Sequence, residues 1–124
     1  TVTAALTYGG AAPAKANTET WNGSSWTEVG DLNTARSILA GSGYGVNTAA
    51  LASGGEGPPA NMAFVEDWNG ISWAEVSDLN TGRGGLGGAG TSTSGLVFGG
   101  EVSPRQQTEE WSSTSNTTRT VSTD

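Results

Sequence analysis

Apolar and aromatic positions along this chain come in short bursts, some alternating with polar residues and some continuous, each closed by Gly, Pro, Asn or Ser. No stretch holds a 3.6-residue period with helix caps at its ends, so the pattern predicts strands throughout. The bursts also return in register. Thr3-Ala4-Ala5-Leu6-Thr7-Tyr8-Gly9-Gly10 aligns without gaps on Thr48-Ala49-Ala50-Leu51-Ala52-Ser53-Gly54-Gly55, and again on Thr93-Ser94-Gly95-Leu96-Val97-Phe98-Gly99-Gly100. Trp21-Asn22-Gly23-Ser24-Ser25-Trp26 returns as Trp68-Asn69-Gly70-Ile71-Ser72-Trp73, and Glu28 to Arg36 is matched by Glu75 to Arg83. A fixed period of about 45 residues is the mark of a repeat architecture.

Within each unit the order of signals is constant. A Gly pair ends one strand, and a loop of variable length follows, carrying Pro13, Pro58-Pro59 or Pro104. A run ending in Trp comes next (Thr18–Trp21, Val65–Trp68, Thr108–Trp111). Asn-Gly after the first two of these Trp residues predicts a hairpin turn in which both positions tolerate positive φ. Trp26 and Trp73 then open the return strands. The stretches Ser37 to Gly45 and Gly84 to Gly90 are Gly-rich; Gly weakens a strand, so strands of this kind mark a close approach of backbones. Each unit thus reads as four antiparallel strands: a Gly-rich inner strand, the strand closed by the Gly pair, the strand ending in Trp and the return strand. The units are residues 1–35, 36–82 and 83–124 of one repeat domain, and the first lacks its inner strand. In the third unit no second Trp follows Trp111, and Thr118-Arg119-Thr120-Val121 is the candidate last strand.

Composition adjusts this picture in three ways. An apolar content of 34% with 20 Gly is low for a packed domain, and the five Trp residues supply the burial that such a β protein needs from a few large side chains. A net charge of −7 with five basic residues disfavours nucleic acid and anionic membrane surfaces as partners, because phosphate neutralisation needs clustered Lys and Arg. His and Cys are both absent, which removes disulfides, imidazole and thiolate metal ligands and the commonest general base. There is no apolar run of membrane-spanning length. The sequence begins at Thr1 without a cationic-then-apolar leader, which leads to the expectation that it is processed, excised or incompletely represented at its start.

The landmarks together, a Gly-Gly doublet (Gly9-Gly10, Gly54-Gly55, Gly99-Gly100), a Trp about a dozen residues on, a second Trp past a short turn and an Arg (Arg36, Arg83) before the next unit, resemble kelch repeats. The resemblance implies a β-propeller with one four-stranded blade per repeat. Trp (Trp21, Trp68, Trp111) stands at the position usually held by Tyr, and the turn to the second Trp is short, as in the Gly-containing kelch-like variants associated with bacterial surface proteins and bacteriophage tails. About three blades, the first incomplete, do not close a ring, since propellers use four to eight. The expectation is therefore an all-β, kelch-like propeller segment completed by a longer polypeptide or by other copies of the chain, an unpaired strand edge being an invitation to such pairing.

The galactose oxidase-type copper site, distantly related to this repeat, uses His and Cys that this chain lacks, and the sialidase-type Asp box needs an Asp where Trp21 or Trp68 stands. No cofactor or metal is expected. Glu19, Glu66 and Glu109 recur two residues before Trp; as a ring of acids they would suit calcium or acid-base work, and as partners of Arg36 and Arg83 they would join strands or blades. Recurrence in every unit favours the structural role. Asp31/Asn33 and Asp78/Asn80 offer oxygen ligands at short spacing but lack the set of a calcium loop, and Asx turns account for them. Trp21, Trp26, Trp68, Trp73 and Trp111 serve either as packing or as platforms for a sugar. Loops Ala11 to Asn17, Glu56 to Ala63 and Glu101 to Gln107 differ between units and are where a unique binding surface would lie. The resulting expectation is a non-enzymatic, self-associating structural or binding module of an extracellular or virion-surface assembly, a fibre or tail-type component. The alternative is a lectin-like carbohydrate-binding propeller.

Overall fold

A computed structural model describes residues 2–43, 46–58, 60–101 and 106–121. Expectations touching Tyr44, Gly45, Pro59, Pro104, most of the third variable loop and the last three residues lie outside them. The described residues are all-β, with no helix. Thirteen strands follow one another: β1 (Ala5–Tyr8), β2 (Thr18–Trp21), β3 (Trp26–Val29), β4 (Ala40–Ser42), β5 (Ala50–Ser53), β6 (Glu56–Gly57), β7 (Ala60–Asn61), β8 (Val65–Trp68), β9 (Trp73–Val76), β10 (Leu86–Gly90), β11 (Ser94–Gly99), β12 (Thr108–Ser112) and β13 (Thr117–Val121). They form a three-stranded sheet β1-β2-β3, two four-stranded sheets β4-β5-β8-β9 and β10-β11-β12-β13, and a two-stranded ribbon β6-β7. The ribbon was not expected. It arises inside the variable loop Glu56 to Ala63, where Glu56 pairs with Asn61 and Gly57 with Ala60 around the Pro58 corner.

Repetition extends to register. Ala5 opposes Trp21 and Thr7 opposes Glu19 in the first sheet; Ala50 opposes Trp68 and Ala52 opposes Glu66 in the second. Trp21 faces Trp26 across one hairpin and Trp68 faces Trp73 across the other. The turns between these Trp residues are hairpin turns, but only one of the two Asn-Gly positions takes positive φ. Each loop has four residues, Gly23 and Gly70 alone take positive φ (100° and 96°), and Asn acts through its side chain. Asn22 Oδ1 accepts from the Ser24 and Ser25 amides, and Asn69 Oδ1 from the Ile71 and Ser72 amides, all at 2.9 Å. The Asx turn thus replaces the positive φ that Asn would otherwise have to adopt.

The sheets bury their faces on one another. One core cluster, Leu32, Ala50, Ala52, Trp68 and Trp73 with Leu6 and Tyr8 against it, joins the first and second sheets. A second, built from Ala40, Leu51, Val65, Leu79, Leu86, Val97 and Trp111, joins the second and third. Strand β5 lies in the middle and is buried at all four positions, which is why its sequence Ala-Leu-Ala-Ser has no polar face. The Gly-rich strands β4 and β10 approach closely: a Cβ at Gly88 would lie 2.7 Å from the Gly41 carbonyl oxygen, and one at Gly41 would collide with the Tyr8 hydroxyl.

The Gly pairs have a different task. Gly54 and Gly55 take φ of 64° and 107°, and the Gly55 amide donates to the Arg83 carbonyl at 2.7 Å, as the Gly10 amide does to the Arg36 carbonyl at 2.9 Å. A Cβ on Gly54 would sit 2.6 Å from the Arg83 oxygen. These first two pairs are the seats on which the segment leaving each sheet docks before entering the next, and only Gly combines that φ with that clearance.

Candidate functional site

The residues singled out by recurrence meet in two buried clamps. Arg36, carried from the first sheet toward the second, sends Nη1 to the carbonyl oxygens of Gly54 (2.8 Å) and Phe64 (2.7 Å). Its Nη2 donates to Glu66 Oε2 at 2.6 Å. Both side chains of the pair have no exposure to solvent. The other carboxylate oxygen, Oε1, accepts from the Asn33 amide (2.7 Å) and from Asn33 Nδ2 (2.8 Å), and Asn33 Nδ2 also reaches the Trp73 carbonyl at 3.0 Å. The third sheet repeats this construction. Arg83 donates to Gly99 O (2.7 Å), Gln107 O (2.8 Å) and Glu109 Oε2 (2.7 Å), and the Asn80 amide donates to Glu109 Oε1 at 2.5 Å.

Burial explains the composition of the clamp. A carboxylate and a guanidinium taken out of water are stable only when the attraction between them is joined by hydrogen bonds to their remaining atoms. Asn33 supplies them to the outer carboxylate oxygen and the carbonyls of Gly54 and Phe64 to Nη1, while Nε of Arg36, like that of Arg83, is buried without a partner among the described residues. Desolvation lowers the Arg36 pKa from its ordinary value, and the Glu66 charge opposes that shift.

Asn33 and Asn80 are the functional residues that sequence reasoning assigned elsewhere. They read as members of Asx turns or as calcium ligands beside Asp31 and Asp78, whereas each reaches across to the neighbouring sheet's carboxylate. The recurring Asn-x-x-Arg spacing was the signal. Among the described residues no group of three or more Asp and Glu is placed to hold a metal ion.

Glu19 departs from its counterparts. It occupies the same register position as Glu66, opposite Thr7 as Glu66 is opposite Ala52, yet it is exposed, and it forms no ion pair among the described residues. The Trp residues divide in the same way. Trp68, Trp73 and Trp111 are buried, while Trp26 is 49% exposed and Trp21 is part-buried. Trp73 owes its burial to the first sheet, where its Nε1 donates to Thr18 Oγ1 at 2.9 Å and Tyr8 packs edge-on at 4.8 Å.

Tyr8 is part of that seam and donates its hydroxyl to the Leu51 carbonyl at 3.0 Å. Burial pushes its pKa up from 10.0 to about 12, with Arg36 acting in the opposite sense. The unfolded chain therefore ionises first, so this contribution to stability is intact below pH 10 and is lost as the pH rises to about 12. Tyr8→Phe is expected to lower stability by about 1 kcal/mol at neutral pH through the lost hydrogen bond, and to flatten the alkaline fall in melting temperature between pH 9.5 and roughly 11.5. Thermal melts across that range check both.

In the second variable loop, Glu56, Gly57, Pro58, Ala60 and Asn61, with the facing Ala14 and Ser37, line an open cleft of about 490 Å³. A second groove of about 400 Å³ runs between β1 and β4, with Leu6 and Tyr8 on one wall and Gly41 and Ser42 on the other. Compared with known proteins, the chain matches no family model and no curated sequence.

Proposed function

We propose that the chain is a kelch-like propeller segment acting as a non-enzymatic structural and interaction module of an extracellular or virion-surface assembly, of fibre or tail type, completed by β pairing between chains. The observation that carries this reading is the state of the first sheet. One edge of β1 has no partner strand among the described residues, and Glu19 and Trp26 stand exposed where Glu66 and Trp73 are buried. An unpaired edge beside an uncovered apolar face is a template for another chain. The buried carboxylates speak for a structural role: Glu66 and Glu109 are saturated by Arg and Asn donors and do not face a cleft where a substrate proton would be transferred. Light scattering coupled to size exclusion tests the proposal. Oligomers growing with concentration are expected, and a folded monomer at all concentrations would remove the assembly reading.

The lectin reading draws on one observation, the exposed Trp26 packed at 5.4 Å and 45° against Trp21, since aromatic faces bind sugar rings. On that reading a glycan array should show binding that disappears in Trp26→Ala.

A further inference from the structure

The hairpin loop 69–72 brings an electrophile, a nucleophile and two hydrogen-bond donors together within four residues. Asn69 is exposed, and its Oδ1 accepts from the amides of Ile71 and Ser72, both at 2.9 Å. Two main-chain donors converging on one carbonyl oxygen are the arrangement that stabilises an oxyanion forming there. Among the described residues neither Asn69 Nδ2 nor the Gly70 amide is engaged in a hydrogen bond. The Gly70 nitrogen is next in the chain to Asn69, so its attack on the side-chain carbonyl carbon closes a five-membered ring, and Gly70 has no side chain to hinder it. The surroundings of this loop lie inside the described chain: Cβ atoms added at Gly30 and Gly70 would come within 2.9 Å of the Ile71 oxygen and 3.3 Å of the Thr48 oxygen. Ile71 is still 80% exposed, so water reaches the loop.

We infer that Asn69-Gly70 is a self-modification site, at which the folded turn promotes loss of ammonia from Asn69 with water as the co-reactant. Hydroxide removes the Gly70 amide proton, and the nitrogen attacks Asn69 Cγ. A bond between that nitrogen and Cγ forms while negative charge on Oδ1 is held by the Ile71 and Ser72 amides. The bond from Cγ to Nδ2 then breaks, and Nδ2 leaves as ammonia after taking a proton from water. The resulting cyclic imide is opened by one water molecule. Attack on the former side-chain carbonyl gives aspartate at position 69, whose carboxylate keeps both amides as charge-assisted partners. Attack on the main-chain carbonyl gives isoaspartate, which puts an extra methylene into the main chain and takes the acceptor away from the two amides. Trp68 and Trp73 face each other across this hairpin, and Trp73 closes the seam to the first sheet through Thr18 and Tyr8. Isoaspartate therefore loosens that seam, and aspartate preserves it. Asn22-Gly23 has the same construction, with both donors at 2.9 Å and Gly23 at a φ of 100°.

The test incubates the purified full chain, folded and in parallel unfolded in urea, and follows each Asn by peptide mass mapping for a gain of about 1 Da. The six other Asn residues, each followed by Thr or Met, serve as the reference within the same molecule. Asn69 in the folded chain is expected to convert at least as fast as in urea, with a rate rising about tenfold per pH unit near neutrality because amide deprotonation precedes attack. Slower conversion in the folded chain than in urea, or a rate independent of pH, overturns the assignment. The isoaspartate fraction, separated by chromatography, should melt about 4 °C or more below the parent, and Asn69→Asp within about 2 °C of it. An isoaspartate fraction that melts with the parent would overturn the link to the seam.

Discussion

Arg36→Ala is expected to destabilise the protein by about 3–5 kcal/mol, the loss typical when one partner of a buried ion pair is removed. The guanidinium holds Glu66 at 2.6 Å in a site with no solvent exposure, and its removal leaves a carboxylate with only the Asn33 donors to balance the lost hydration. The carbonyls of Gly54 and Phe64 lose their Nη1 donor at the same time, and an unpaired buried acceptor adds about 1–3 kcal/mol. Against a total stability on the order of 5–15 kcal/mol this is enough to leave a large unfolded fraction at physiological temperature. Arg36→Lys should recover only part of the loss, because a single ammonium cannot span two carbonyls and a carboxylate in the planar geometry of the fork. The combined Arg36→Met and Glu66→Leu change should be less harmful than Arg36→Ala alone, since it leaves no charge unpaired. Glu19→Ala is the internal control. The same residue at the same register position, but exposed, is expected to change stability by less than about 0.5 kcal/mol. Urea denaturation of the four variants checks the ranking. A loss below about 1 kcal/mol for Arg36→Ala would mean that apolar burial alone holds the second sheet to the first.

These contrasts show where the sequence was sufficient. The strand order within a unit was legible because Gly pairs and the strand ending in Trp recur three times and the Gly-rich run twice, all strong local signals. The Thr117–Val121 strand could be placed without its Trp because the unit around it was already defined. The pairing of Arg with Glu was legible as a possibility from recurrence. The direction of the pairing was not, because Arg36 reaches forward to Glu66 and not back to Glu19, and a linear repeat treats the two choices alike. The role of Asn33 stayed hidden for a related reason: its partner lies on the next sheet, and its own neighbours Asp31 and Thr34 offer a complete local explanation. The β6-β7 ribbon was missed because two-residue strands flanking a Pro-Pro sequence carry no alternation. Two near-identical Trp-Asn-Gly contexts also could not reveal that one hairpin is covered and the other bare, since burial there comes from the neighbouring sheet.

The two Trp hairpins allow that last contribution to be measured. Trp68 and Trp73 lie 5.3 Å apart at 44°, and Trp21 and Trp26 lie 5.4 Å apart at 45°, so the contact within each hairpin is the same. The surroundings are different. Trp68 is 2% exposed and donates its indole N–H to the Asn47 carbonyl at 3.0 Å, and it packs with Leu32, Ala50 and Ala52. Trp68→Ala should therefore cost about 3–5 kcal/mol, through lost burial and a cavity that the Gly-flanked backbone cannot fill. Trp26→Ala removes the same pair contact with half of its surface already in water, and a cost of about 1 kcal/mol or less is expected. Equal costs would place the stabilisation inside the hairpin and remove the neighbouring sheet from the account. A gap of at least about 2 kcal/mol would measure what a covering sheet adds. If a partner chain covers the first sheet, that gap should narrow on assembly, as Trp26→Ala becomes costly only in the completed particle. Comparing the two variants in dissociated and assembled samples thus separates the stability of the repeat from the stability of the contact between chains.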